Sequence, residues 1–83
     1  MDAKELGSFI AQRRKELNLT QAGLAERLHV TDKAVSRWER GVGLPDINIL
    51  QPLAESLEIT LVELMQMAGI DALAAYVDNQ LKE

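Results

Sequence analysis

The chain has no cysteine, which excludes disulfides, thiolate metal sites and cysteine nucleophiles and fits a reducing, cytoplasmic setting. It has one histidine, His29, too few for a histidine-rich metal cluster. Its three aromatic residues are Phe9, Trp38 and Tyr76, so the core must be aliphatic, built from Leu, Ile, Val and Ala. The longest unbroken apolar run, Ala72 to Val77, is six residues, far short of the roughly 20 that a membrane helix needs. The first residues, Met1-Asp2-Ala3-Lys4-Glu5, are charged and no hydrophobic signal segment follows, so no export sequence is expected. There is no phosphate-binding loop, and the carboxylates are scattered over helix surfaces and caps. Neither an enzyme nor a cofactor is therefore expected, and no membrane partner. What is present is 83 residues, 47% apolar and 27% charged, an ordinary globular composition with room for one core.

The net charge of −4 at first argues against an anionic partner. Its distribution reverses that. Residues 1–45 hold eight Lys/Arg and six Asp/Glu, whereas residues 46–83 hold one and seven. Screening cuts off charges beyond about 8 Å at physiological salt, so the basic first half sets the field at a contact it makes. The acidic second half either discourages loose docking on a polyanion or serves solubility alone.

The pattern is helical throughout, with no sustained period-two alternation. Asp2 with Glu5 resembles a capping box opening helix one, and Leu6, Phe9, Ile10, Arg13 or Arg14, and Leu17 recur at helical spacing. Thr20 caps a second helix over 21–28, with Leu24, Ala25 and Leu28 inward. Thr31 caps a third over 32–40, with Val35 and Trp38 inward, ended by Gly41 and Gly43 and blocked by Pro45. Asp46 opens a fourth carrying Ile47, Leu50, Leu53, Ala54 and Leu57; Pro52 inside it predicts an irregularity or a later true start. Thr60 to Glu63 is a full capping box for a short fifth helix to about Met67, stopped by Gly69. Asp71 can cap a last segment to about Lys82.

The second and third helices are joined only by His29-Val30-Thr31. Ala25 is small where they must cross closely, and Val30 can plug the gap. This is the spacing of a helix-turn-helix, in which the second helix of the pair enters the major groove. Asp32, Lys33, Ser36, Arg37 and Arg40 are then left outward. Arg37 is the best base reader, since its planar fork matches guanine O6 and N7. Lys33 suits guanine or phosphate. Ser36 suits a base edge or a phosphate. Asp32 would be repelled by phosphate; it either accepts from cytosine N4 or stabilises its own helix N-terminus. Arg40 and Arg27 are phosphate candidates, with a merely solvated surface as the alternative.

Arg13-Arg14, Leu19-Thr20-Gln21, Leu24-Ala25, Val30, Val35-Ser36, Trp38-Glu39-Arg40-Gly41, Pro45 and Leu53-Ala54 together resemble the phage repressor/Cro-type (XRE-like) helix-turn-helix family over about residues 6–67. The resemblance implies an all-α bundle of about five helices and a sequence-specific, dimeric transcriptional regulator, with repression the expected sense and a palindromic duplex operator the expected partner. It implies that Gln21 touches a phosphate, that Thr31, Asp32, Lys33 and Arg37 contact bases and phosphates, that Arg14 and Glu39 form a partly buried ion pair, and that Trp38 anchors the core. His29 stands where many members have Gly, so a left-handed turn residue is expected there rather than a metal ligand. The loop from Gly41 to Asp46 lacks the cations some relatives carry, which predicts a modest salt dependence.

These readings divide the chain into a DNA-binding domain over 1–69 and a C-terminal helical segment over 70–83. Ile70, Leu73, Ala74, Val77 and Leu81 make a narrow stripe in that segment. The stripe is covered either by the domain's own core or by a twin helix in a homodimer. A protein-partner function, as the antitoxin of a toxin pair or as an adaptor, is the competing class; an effector or such a partner would use the acidic C-terminal part.

Overall fold

The computed structural model describes residues 3–67, all of whose regular structure is helical. The order is α1 (Ala3–Glu16), α2 (Gln21–Leu28), α3 (Asp32–Glu39), α4 (Ile47–Ser56) and α5, helical over residues 61–67. The expectations for Asp2, Gly69, Asp71 and the 70–83 segment lie outside the described residues.

Helix starts follow side-chain chemistry. The Thr20 hydroxyl accepts the Gly23 N–H at 2.9 Å and the Thr31 hydroxyl accepts the Ala34 N–H at 3.1 Å, each satisfying a donor orphaned at a helix start. At α5 the box is reciprocal: the Thr60 hydroxyl accepts from Glu63 N–H at 3.1 Å, and the Glu63 carboxylate accepts from Thr60 N–H at 3.0 Å. Hydrogen bonds from the backbone and hydroxyl of Thr60 hold the Glu63 carboxyl below the usual carboxylate range. Asp46 occupies the N-cap of α4 without a side-chain capping bond.

Helix ends share one device. The N–H of Leu19, Val30, Val42 and Ile59 each reaches back five residues, to the carbonyls of Arg14, Ala25, Arg37 and Ala54. The residue before each is left-handed: Asn18, His29, Gly41 and Glu58, with φ of 59°, 56°, 73° and 58°. These are four Schellman motifs, each followed by an apolar residue. His29 is thus the left-handed turn residue that the sequence predicts.

Two boundaries depart from expectation. α3 ends at Glu39, with Arg40 as its C-cap rather than its last residue. α4 starts at Ile47 and runs through Pro52 to Ser56, so Pro52 neither delays nor interrupts it. The ring is exposed and its missing donor forfeits one helical bond, while Leu50, Leu53 and Ala54 hold the opposite face in the core.

α3 packs against α1 and α2, and α2 against α4. Leu24, Val35, Leu53, Ala54, Leu57 and Leu64 are fully enclosed, and Trp38 closes the core at 6% exposure. Where α1 crosses the end of α3, the backbones nearly touch: a Cβ on Gly7 would lie 2.1 Å from the Trp38 carbonyl oxygen. That crossing fixes the C-terminal end of α3 against the rest of the domain. Among the described residues, no helix is long and apolar enough to cross a membrane.

Candidate nucleic-acid interface

The outward residues of α3 share one face. At 100° per residue, Asp32, Lys33, Ser36, Arg37 and Arg40 span an arc of about 140°, with Val35 and Trp38 outside it. Asp32, Lys33, Arg37 and Arg40 are exposed; Ser36 is half-buried. The Ser36 hydroxyl accepts from Arg40 Nε at 3.2 Å, so these two candidates meet each other. Thr31 is exposed at the helix start, where its hydroxyl caps α3. Asp32 sits in the first turn, where its charge favours the helix dipole. Arg27 is exposed in the last turn of α2.

The ion pair read from the sequence is present and desolvated. Arg14 Nε donates to Glu39 Oε2 at 2.7 Å and Arg14 Nη2 to Oε1 at 3.0 Å, with the two side chains 10% and 7% exposed. Arg14 Nη1 donates to the Leu19 carbonyl at 2.8 Å, so the guanidinium also ties down the end of α1. The Glu39 hydrogen bond holds the Arg14 guanidinium above its ordinary value against the opposing effect of burial. For Glu39, burial pushes the carboxyl up, but hydrogen bonds from Arg14 and Gln21 and the Arg14 charge outweigh it and hold it below the usual range.

Gln21 is brought into this group rather than standing apart. Its Nε2 donates to Glu39 Oε1 at 3.0 Å, and the residue is half-buried as the first of α2. The carboxylate that ends α3 therefore joins α1 and the start of α2.

Two positioning residues carry weak signals in the sequence. Gly7 reads there as an ordinary residue of an amphipathic helix, and its need for no Cβ exists only because α3 passes over it. Arg13 is interchangeable with Arg14 by helical spacing, yet it serves α4: its Nε and Nη2 donate to the Leu57 carbonyl at 3.3 and 2.8 Å. Among the described residues, no group of three or more His, Cys, Asp or Glu gathers to hold a metal.

A family model described as Helix-turn-helix matches residues 10–64, a span that contains α2, α3 and the Arg14–Glu39 pair. The HTH-type transcriptional activator BcrR of Enterococcus faecalis is 36% identical over 70 residues, 84% of this chain and 34% of its own. The cryptic phage CTXphi transcriptional repressor RstR of Vibrio cholerae is 36% identical over 55 residues, 66% of this chain and 49% of its own. This chain thus spans a third to a half of the length of those relatives. Among solved structures, the P22 c2 repressor in complex with a synthetic operator superposes with a TM-score of 0.68 at 34% identity, covering 71% of this chain and 89% of that one.

Proposed function

The chain belongs to the helix-turn-helix family, in which its relatives are named as transcriptional regulators and a phage repressor is a structural neighbour, and from that premise we propose that it reads duplex DNA by laying α3 in the major groove. The observation that carries this is the outward face of α3. Lys33, Arg37 and Arg40 stand exposed there, while the opposite side of the helix is buried. Arg37 reads guanine through its two-pronged edge, and Lys33 meets a neighbouring guanine or phosphate. Ser36 and Asp32 complete the base-facing set. Gln21, Thr31, Arg40 and Arg27 hold the flanking backbone, fixing register without reading sequence.

The working unit is a homodimer in the cytoplasm. It binds a palindromic operator whose half-sites lie about 34 Å apart, one DNA turn, with the 70–83 segment as the dimerisation element. Relatives named as an activator and as a repressor leave both senses of regulation within the family; repression by occupying the operator needs nothing beyond the binding itself.

Selection from random duplex DNA tests the reading. The expected result is an enriched two-fold symmetric site. In Arg37→Ala, specificity relaxes at one base pair per half-site, at a cost of about 1–3 kcal/mol there. In Arg40→Ala, binding to all sequences weakens alike and the salt slope falls by about one per protomer. No enrichment at low salt would overturn the reading.

A further inference from the structure

The bond between Gln21 and Glu39 has a consequence for DNA recognition. A side-chain amide has two faces of opposite polarity: an oxygen that accepts, and a nitrogen with two N–H donors. At a phosphate only the nitrogen is useful, because the oxygen would set one acceptor against another. Gln21 is half-buried at the first position of α2, and its Nε2 donates to Glu39 Oε1 at 3.0 Å. Glu39 carries its charge at neutral pH, being held below the usual carboxylate range. An ionised carboxylate only accepts, so it admits the nitrogen and turns the oxygen away.

We propose that Glu39 is a positioning residue for DNA binding: its carboxylate fixes the orientation of the Gln21 amide, so that the second Nε2–H is held ready for a backbone phosphate oxygen. This rests on the reading that Gln21 meets a phosphate. One N–H is spent on the carboxylate, and the planar amide nitrogen sets the other about 120° from it. The carboxylate is itself held at both oxygens. Arg14 grips both of its oxygens, at 2.7 and 3.0 Å, and is anchored to the Leu19 carbonyl. The arrangement passes rigidity from α1 through the end of α3 to a contact at the start of α2. A rotatable amide would spend part of its time presenting oxygen; this one does not. The ion pair thus has a task besides stability.

The test replaces the pair by apolar side chains of similar length, Arg14→Met with Glu39→Met, which removes the acceptor while leaving no unpaired buried charge. The wild type, this double variant and Gln21→Ala are compared on the duplex recovered by selection, with single neutral methylphosphonates placed at each phosphate in turn. In the wild type one position per half-site should cost about tenfold in affinity, the size of one charge-assisted hydrogen bond. In Gln21→Ala that position should become silent. The proposal expects the same position to fall silent, or to cost no more than about twofold, in the folded double variant, while other phosphate positions keep their effect. A full tenfold cost retained in the double variant overturns it. So does a wild-type scan in which no position depends on Gln21, although the duplex is bound tightly; that result leaves the DNA reading standing. A wild type that selects no duplex sinks both. Should the double variant not fold, the wild type decides by exchange of the Gln21 side-chain amide protons in the complex. Both should be protected, one by the carboxylate and one by the phosphate; protection of only one overturns the proposal.

Discussion

At the scale of single residues, the left-handed positions are the clearest stores of strain. Asn18, His29 and Glu58 have φ of 59°, 56° and 58° without being glycine. Asn and His tolerate this region better than most residues; Glu has no such advantage. His29 and Glu58 are exposed, so neither gains packing in return. Glu58→Gly should therefore stabilise the domain by about 0.5–1 kcal/mol, the relief of strain less the extra chain entropy of glycine, and His29→Gly by less. In a domain of this size that raises the melting temperature by a few degrees, at about 4–8 °C per kcal/mol. Thermal denaturation followed by circular dichroism reads it. A melting point lowered in Glu58→Gly would mean that the left-handed cost is absorbed elsewhere. The same chemistry explains what was legible. Gly41 announces its turn, and His29 announced itself only because a related pattern carries glycine there. Glu58 gave no signal, since nothing in its identity favours a left-handed backbone, and Asn18 offered only asparagine's mild preference for one.

At the scale of elements, the starts of α2, α3 and α5 were legible because Thr20, Thr31 and the Thr60–Glu63 box act within one turn of chain. Pro52 misled because a local rule was outweighed by the burial of Leu50, Leu53 and Ala54. Gly7, the choice between Arg13 and Arg14, and the Gln21–Glu39 bond were hidden because each depends on residues 18 or more positions away. The Arg14–Glu39 pair lies between these cases, suggested by resemblance and given its meaning by burial. Removing one partner strands the other charge, so Glu39→Ala should cost about 3–5 kcal/mol, enough to lower the melting temperature by more than about 10 °C. The pair also sets a pH dependence. The Glu39 carboxyl is depressed in the folded state, so the unfolded chain binds more protons as the solution becomes acidic. Its contribution is complete above the unfolded value of about 4.3 and is lost as pH falls through the lower folded value. Melting temperatures measured from pH 6 downward should fall more steeply for the wild type than for Arg14→Met with Glu39→Met. Parallel slopes would show that other carboxylates carry the acid sensitivity.

At the scale of the whole molecule, charge is separated along the chain: residues 46–83 hold seven acidic side chains and one basic. α4 and the turn after it carry Glu55 and Glu58, both exposed, and α3 does not pack against α4 to the extent that it packs against α1 and α2. Carboxylates set apart from the α3 face act on a DNA backbone only through the solvent. Their effect must then follow the screening length, about 30 Å at 0.01 M salt and about 8 Å at 0.15 M. Replacing Glu55→Gln and Glu58→Gln should raise affinity for random-sequence duplex several-fold at 0.01 M and leave it unchanged at 0.15 M. The preference for the selected site over random sequence should narrow at low salt by the amount by which non-specific binding gains more than specific binding. Gln retains the length of each side chain, so packing is not a competing cause. Fluorescence anisotropy against salt concentration reads both effects. An enhancement that survives at 0.15 M would place these carboxylates within direct reach of the phosphates, and the acidic half would then be a rim of the interface rather than a distant repulsion.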